Sequence, residues 1–106
     1  MLQLVVRSTA SADLAEALAW YAARSPALPD AFLEQLDSAL NLLCERPFIG
    51  SRRFAHLFPE MALRTWSMDR FPFRIFYIIE DNTLHVLRID HERRNVTRET
   101  LDKDPI

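Results

Sequence analysis

Arginine is the residue type most able to carry chemistry in this sequence. Three predicted strands and the turn after them hold five arginines, near Trp66, Phe76 and His91; they are Arg64, Arg74, Arg88, Arg93 and Arg94. Guanidinium groups beside aromatic rings suit phosphate or carboxylate partners. Because arginine keeps its charge, it can stabilise an anion but rarely transfers a proton, and His91 is the one member of this region whose residue type suits general acid–base catalysis. The set therefore predicts an anion-binding surface, the alternative being a solvated face on which Arg74 or Arg88 pairs with Asp90.

Other kinds of site have weak support. His85 and His91 lie six residues apart on one predicted strand, about 20 Å at strand rise, which is too far to share a metal ion. One glycine cannot build a phosphate-binding loop, and no serine or cysteine lies in a nucleophile context. Cys44 falls at helical spacing in an apolar run, which favours a buried structural thiol. We expect neither a metal nor another cofactor.

Composition indicates one ordinary globular domain over residues 1–106. The chain is 49% hydrophobic and 26% charged, with a net charge of −2. A single cysteine excludes an internal disulfide and fits the reducing cytoplasm. The N-terminus lacks the pattern of a signal peptide, and no apolar run approaches the ~20 residues of a membrane span. We therefore expect a cytoplasmic protein with no membrane partner.

The charge is unevenly distributed. Only three of the thirteen basic residues precede residue 51, and that half of the chain has a net charge of −3. The arginines cluster in the second half, where a local positive patch can attract an acidic partner although the whole chain is slightly acidic.

A β-hairpin is the element around which the chain is organised. Two β-branched and aromatic runs, Phe73–Glu80 and residues 84–90, flank Asp81, Asn82 and Thr83. The apolar residues Ile75, Tyr77, Ile79, Leu87 and Ile89 all have odd numbers. If both odd sets face one core, opposite residues share parity, and this requires a loop with an odd number of residues. The pattern therefore predicts a three-residue connection.

The remaining elements follow from apolar spacing and from proline and glycine. Residues 2–7 form a first strand, and Ser8 is expected to cap a helix to about residue 24. Asp30 is expected to cap a second helix to Glu45, and residues 61–67 form another strand. The predicted fold is α+β, in the order β-α-α-β-β-β, with an antiparallel helical hairpin packed on a small, mainly antiparallel four-stranded sheet. Residues 96–106 are expected to be a short helix and a frayed end.

Two features lie outside these elements. Gly50 is the only glycine, and its isolated position predicts a backbone conformation with φ > 0. Several large apolar residues exceed what a monomer's surface needs, and they are candidates for a groove that receives a partner helix: Trp20, Phe48, Phe54, Leu57 and Phe58. The alternative is that they cap the core.

The element order and a series of motifs together resemble the RelE/ParE toxin superfamily, a plasmid-stabilisation type of protein. The motifs are ERPFIG at residues 45–50, LR at 63–64, FPFRIFY at 71–77 and VLRIDHERRN at 86–95. The likeness covers roughly residues 3–100. It implies a small bacterial toxin neutralised by a cognate, ParD-like antitoxin that wraps over it.

The two branches of the superfamily differ in chemistry. The RelE-like branch cleaves messenger RNA on the ribosome, and on that pattern Arg74, Arg93 and His91 would be the nuclease residues. The strand lysines of that branch and its C-terminal tyrosine have no counterpart here. The long helical hairpin and the HERRN ending resemble the ParE-like branch, which inhibits DNA gyrase by binding rather than by catalysis. The resemblance thus favours a non-enzymatic gyrase inhibitor, with a nuclease or a degenerate, non-toxic binding module as alternatives.

If that is correct, the target and the antitoxin would be bound by the arginines and by aromatic residues. The expected binding residues are Arg64, Arg74, Arg88, Arg93, Arg94, Trp20, Phe54 and Phe58.

Overall fold

The computed structural model describes residues 1–101 and contains six regular elements. Their bounds are β1 Gln3–Val6, α1 Ser8–Ala22, α2 Leu28–Glu45, β2 Arg64–Ser67, β3 Phe73–Glu80 and β4 Thr83–His91. Short 3-10 helices occupy Ala55–Leu57 and Arg98–Thr100. The predicted order β-α-α-β-β-β is confirmed. The expected frayed end at 102–106 lies outside the described residues.

Both helices begin earlier than the sequence predicted. The N-cap of α1 is Arg7, and Ser8 is already helical, with no side-chain cap. The N-cap of α2 is Ala27, so that Pro29 and Asp30 lie in its first turn. A proline is tolerated there because the first backbone N–H groups of a helix have no partner within it. Pro29 therefore marks the start of α2, whereas Pro26 lies in the loop before it.

The strands form one mixed sheet in the order β1-β4-β3-β2. The β3–β4 and β2–β3 pairs are antiparallel, while β1 runs parallel to β4. The helical hairpin connects β1 to β2 at the opposite edge of the sheet, and the chain then returns through β3 to place β4 beside β1. The α+β class is confirmed, with the parallel β1–β4 pair at one margin.

The connection between β3 and β4 is a two-residue turn, and the prediction of three residues was wrong. Glu80 pairs with Thr83, which leaves Asp81 and Asn82 as the loop. Their φ angles are 52° and 60°, as a tight hairpin turn that matches the twist of the strands requires. Asp and Asn accept this left-handed conformation more readily than most residues.

A two-residue turn pairs odd-numbered residues with even-numbered ones, and a β-bulge further along the strands restores the pairing of odd with odd. Tyr77 pairs with Val86, but the next residue of β3, Phe76, pairs with Arg88. Leu87 is therefore an extra residue in β4, so that opposite residues share parity only beyond it. Val86 and Ile89 contribute to the core under the helices, whereas Leu87 packs on the other face.

The sheet buries apolar side chains on both faces. The main core lies between the helices and the sheet and includes Phe32, Tyr77 and Ile89. A second core covers the opposite face and consists of Phe58, Leu63, Phe76 and Leu87. Segments before β2 and after β4 pack on it. The chain between α2 and β2, through Phe54, Leu57 and Met61, thus covers one face of the sheet.

Gly50 does not have a positive φ, contrary to the prediction. Its backbone N–H donates a hydrogen bond of 3.1 Å to the hydroxyl of Tyr77, which in turn donates to the Pro47 carbonyl oxygen at 2.7 Å. A glycine is needed here because the phenol ring occupies the space of a side chain.

Among residues 1–101, no helix combines the length and the apolar character needed to cross a bilayer.

Candidate partner-binding surface

The five arginines do not form one cluster, because each is held by a different part of the fold. Arg88 shows this most clearly. Its Nε and Nη2 atoms donate to the two carboxylate oxygens of Asp13 on α1 at 2.7 and 2.8 Å, and its Nη1 donates to the Thr100 carbonyl oxygen at 2.6 Å. These bonds to Asp13 raise the pKa of Arg88. The side chains of Arg88 and Asp13 are only 13% and 10% exposed, so Arg88 joins α1 to β4.

Arg74 is also buried, at 8% exposure. Its Nη2 donates to the carbonyl oxygens of Glu92 and Arg94 at 2.7 and 3.1 Å. The guanidinium lies over the second core, 5.2 Å from the centre of the Phe54 ring. Arg74 thus fixes the turn after β4, and its Nε has no hydrogen-bond partner among the described residues.

Arg64 has a third role, at the β2 margin of the sheet. Its Nη1 donates to the carbonyl oxygens of Phe48 and Gly50 at 3.0 and 2.9 Å. It also lies 5.2 Å from the centre of the Phe48 ring. Arg64 therefore holds the segment that follows α2.

Arg93 and Arg94 are the exposed members of the set. The Arg94 side chain is 58% exposed and approaches a carboxylate oxygen of Asp90 at 3.3 Å. The backbone N–H of Arg93 donates to Nδ1 of His91 at 3.1 Å. These two arginines offer the guanidinium groups of the set that are most accessible to a partner.

The three residues that the nuclease alternative needs are not brought together. His91 packs edge-on against Phe73, which contacts the core under the helices. Arg74 lies on the opposite face, beside Phe54 and Phe76. Side chains of neighbouring residues in a strand alternate between faces, and Phe73 pairs with His91 while Arg74 pairs with Asp90. His91 and Arg74 are therefore separated by the sheet.

The aromatic candidates divide into surface and core. Phe58 is 1% exposed and belongs to the second core, and Phe54 packs against that core and is half-buried. Phe58 is therefore a core residue, which was the alternative interpretation of these side chains. Trp20 is 53% exposed and Phe48 is 69% exposed. The guanidinium of Arg24 covers one face of the Trp20 ring, 3.2 Å from its centre.

A groove that we call the α1 groove lies beside Trp20, between α1 and the ends of β3 and β4. Its volume is about 440 Å³, and its walls include Trp20, Tyr21, Phe73, His91, Asp90 and Arg94. Asp13 and Glu16 of α1 also border it. Asp13 and Glu16 could not be recognised as site residues from the sequence, because nothing in the spacing of α1 distinguishes an acid that meets β4 from one that faces solvent.

Asp90 is the most unusual acid in the groove. It is 2% exposed, and its Oδ2 has no hydrogen-bond partner among residues 1–101. Burial raises the pKa of this carboxyl group above its ordinary value of 3.8, although Arg94, Arg88 and Arg74 act in the opposite direction. The ionised group is thus less favourable in the folded chain than in water.

This shift predicts the pH dependence of stability. A raised pKa in the folded state means that the contribution of Asp90 to the free energy of unfolding is fully present below its unfolded pKa. That contribution is lost as the pH rises through its folded pKa. Asparagine does not ionise, so we expect Asp90→Asn to become more stable relative to the wild type as the pH rises over that interval. Urea denaturation from acid to neutral pH measures it. A constant difference, or one that moves in favour of the wild type, would contradict the assignment.

No group of three potential metal ligands occurs among the residues that the structure describes. Burial raises the pKa of Cys44, the only cysteine, which is 6% exposed in the main core. A thiol with a raised pKa is a poor nucleophile.

The exposed arginines, the exposed aromatic rings and the α1 groove are the surface features of the described residues that suit binding.

Comparison with known proteins agrees with the fold and defines the class of protein. The family described as "ParE toxin of type II toxin-antitoxin system, parDE" matches residues 4–96. A solved structure described as the chromosomal ParDE TA system from P. aeruginosa is similar in fold, with a TM-score of 0.61 and 21% identity. The match covers 86% of this chain and 96% of that chain. No curated protein matches this sequence. The chain belongs to the ParE toxin family, within the RelE/ParE superfamily, and is a type II toxin by that membership.

Proposed function

We propose that this protein is a cytoplasmic toxin that inhibits DNA gyrase by binding to it and is neutralised by a cognate, ParD-like antitoxin. The observation that carries the proposal is the family match over residues 4–96. The surface supports a role in binding, because Trp20 and Phe48 are large exposed aromatic residues and Arg93 and Arg94 are exposed cations. Aromatic and arginine residues are the types most often found as energetic centres of protein interfaces.

The arrangement of the candidate nuclease residues favours binding over RNA cleavage. A general acid or base must lie within hydrogen-bond reach of the atom on which it acts, and the anion-stabilising group must face the same substrate. His91 and Arg74 lie on opposite faces of the sheet, and Arg74 is committed to two backbone carbonyl groups. A single RNA strand would not meet both.

Controlled expression in bacteria tests the function. We expect growth arrest with loss of DNA supercoiling and DNA breaks before any general decay of messenger RNA, and recovery when the cognate antitoxin is co-expressed. Purified protein should inhibit supercoiling by gyrase. Early, codon-biased cleavage of transcripts without DNA damage would instead show a ribosome-dependent nuclease. Normal growth at high expression would indicate a degenerate binding module.

The exposed arginine pair gives a specific prediction. Arg93→Glu/Arg94→Gln should bind the target or the antitoxin about tenfold more weakly, because charges at the rim of an interface guide association. Glutamine is chosen at position 94 because a glutamate would place a like charge beside Asp90, 3.3 Å from the present guanidinium. Titration calorimetry with the antitoxin and a supercoiling assay measure the two interactions.

The matched control is Arg52→Glu/Arg53→Gln, which makes the same charge change at two other exposed neighbouring arginines. It should leave both interactions within about twofold of the wild type, and both variants should retain the wild-type circular dichroism spectrum. Equal weakening by the two variants would mean that only the net charge matters. No weakening by either would make Arg93 and Arg94 part of a solvated face.

A further inference from the structure

The two margins of the sheet differ in how they are covered. On the β2 side, the backbone of Ser51 forms two hydrogen bonds with that of Thr65, at 2.7 and 2.8 Å, and Arg64 adds a charge. On the other side, β1 pairs with β4 along one edge, and no further strand lies beside it within the described sheet. An open strand edge presents N–H and C=O groups that can pair with another chain. β1 is therefore open to a further strand.

The backbone groups that face this open side belong to Leu4 and Val6. The N–H groups of Gln3 and Arg7 donate to the β3–β4 turn and to β4, at 3.1 and 2.9 Å. Neighbouring residues of a strand direct their backbone groups to opposite sides, so those of Leu4 and Val6 point away from β4. The N–H group of Leu2 donates to a carbonyl oxygen at the end of α2, at 3.2 Å. The open edge is therefore confined to residues 4–6.

The side chains of this edge are apolar and exposed. Four of the seven large apolar residues that are exposed in the described chain lie within residues 1–6; they are Met1, Leu4, Val5 and Val6. β1 contains neither a charge nor a proline, two features that protect a strand edge from pairing. Its shortness is the protection that remains. The edge thus combines accessible backbone groups with side chains that gain from burial.

A second copy of this chain fits the edge in an antiparallel register. A two-fold axis normal to the sheet at Val5 would place Leu4 opposite Val6 of the other copy, and Val6 opposite its Leu4. Both residues direct their N–H and C=O groups to the open side, so each pair can exchange two hydrogen bonds. Val5 would meet its own counterpart, and Gln3 would lie opposite Arg7. The central pairs are then apolar and no like charges are opposed, which is the complementarity that self-pairing requires.

The neighbouring registers fit less well. Centring the pair on Leu4 would place Val6 opposite Leu2, whose N–H group already donates to α2. Centring it on Val6 would place Leu4 opposite Ser8, which is already helical. The register centred on Val5 is the one that uses the backbone groups of the open edge and no others.

We propose that two copies of the free protein pair through β1 across a two-fold axis at Val5, which joins their sheets into one continuous sheet. The paired segment, residues 3–7, is much smaller than the roughly 20–30 residues that a stable interface contributes from each side. The dimer is therefore weak and reversible, and its fraction rises with protein concentration. This inference goes beyond the proposed function and depends neither on gyrase nor on the antitoxin.

Analytical ultracentrifugation of the full chain over a range of concentrations tests the dimer. We expect the average mass to rise from that of a monomer towards that of a dimer. Val5→Lys should abolish the rise, because it brings two like charges together at the axis. The matched control is Leu33→Lys, which adds the same charge on α2 at a residue with the same exposure, 41%, and it should behave as the wild type.

Circular dichroism verifies that both variants are folded. A wild type that stays monomeric up to about 1 mM, the weak limit of affinity for so small an interface, would overturn the proposal. Equal loss of the dimer in Val5→Lys and Leu33→Lys would overturn β1 as its site.

Cysteine cross-linking tests the register. Residues that meet on the axis without exchanging hydrogen bonds have Cα atoms about 4.5 Å apart, within the range of a disulfide. Oxidised glutathione should therefore join two Val5→Cys chains, with two thiols oxidised to one disulfide and glutathione reduced. Leu4→Cys and Leu33→Cys should cross-link at least fivefold more slowly, and Cys44 is buried in the main core. Faster cross-linking at position 4 than at position 5 would overturn the register.

Val6→Pro separates a second copy from the antitoxin as the occupant of the edge. Proline removes an N–H group that faces the open side and is tolerated at such a position of an edge strand. We expect loss of the dimer, with binding of the antitoxin unchanged. A monomeric wild type whose antitoxin binding is weakened by Val6→Pro would assign the edge to the antitoxin and overturn the second copy. Failure of gyrase inhibition would leave all these measurements unaffected, so the two proposals fail separately.

Discussion

Gly50→Ala should lower the free energy of unfolding by about 1–3 kcal/mol, the usual cost of an extra methyl group in a well-packed site. An added Cβ would overlap the Tyr77 hydroxyl and lie 2.8 Å from two carbons of its ring. Tyr77 is completely buried and joins Gly50 to Pro47 through two hydrogen bonds. Because the ring is enclosed by the protein, we expect the strain to fall on the segment after α2. Chemical denaturation measures the loss.

A double-mutant cycle with Tyr77→Phe tests this cause. Phenylalanine alone should cost about 1–3 kcal/mol, because the Gly50 N–H and the Pro47 carbonyl group lose their partner. In that background Gly50→Ala should cost less than in the wild type, since the hydroxyl group is gone, but more than nothing, since the ring carbons remain. Strictly additive effects would show that Gly50 is required for a reason other than contact with Tyr77.

Arg88→Met should cost about 3 kcal/mol of unfolding free energy, or roughly 12–24 °C in Tm for a domain of this size. The substitution keeps a long apolar side chain but leaves the Asp13 carboxylate without its cation. It also removes the donor to the Thr100 carbonyl oxygen at 2.6 Å. The pair is only 13% and 10% exposed, so water compensates for little of the loss. Thermal and urea denaturation both measure this effect.

The chain provides its own control for this prediction. Arg98 pairs with Glu60 at 3.0 Å, but the two side chains are 57% and 49% exposed. Arg98→Met should therefore cost no more than about 1 kcal/mol. The double variant Arg88→Met/Asp13→Leu should recover part of the loss, because no buried charge then lacks a partner. If Arg88→Met costs no more than Arg98→Met, the contact with Asp13 does not hold α1 on the sheet.

These two predictions affect how loss-of-function variants should be interpreted. Substitutions at Arg88, Arg74 or Arg64 disturb contacts within the fold. A loss of toxicity or of antitoxin binding in such variants would reflect lower stability, and only a folded variant with normal denaturation behaviour reports on binding. Arg93 and Arg94 are the arginines of this set at which the two effects separate most cleanly.

The sequence alone determined the elements and their order. Apolar residues at helical spacing placed the end of α2 at Glu45, and the β-branched run from Phe73 gave β3 its observed bounds. These features are local, since side-chain period and chain-breaking residues act within a few positions. The same patterns, with the motifs that follow them, were sufficient to indicate the toxin family, which the match over residues 4–96 then established.

Only the tertiary structure decided how the elements fit together. The prediction that odd-numbered residues of β3 lie opposite odd-numbered residues of β4 is correct for the half of the hairpin far from the turn. The additional residue that this pairing requires is Leu87, in the bulge, and not a third loop residue. A turn and a bulge can each supply one residue, and the choice depends on strand twist and on which face each side chain must reach. Periodicity within one strand carries no information on that choice.

Local sequence patterns also could not predict the roles of Gly50 and of the five arginines. Gly50 is required by a phenol ring 27 residues away, and Arg88 is held by a carboxylate 75 residues away. Residue type showed that five guanidinium groups would need partners, but the partners are backbone carbonyl groups and an acid brought near by packing. Arg64, Arg74 and Arg88 thus hold parts of the fold together, whereas Arg93 and Arg94 lie at the surface. Contacts between distant parts of the chain decide this, because burial and hydrogen bonding are properties of the assembled fold.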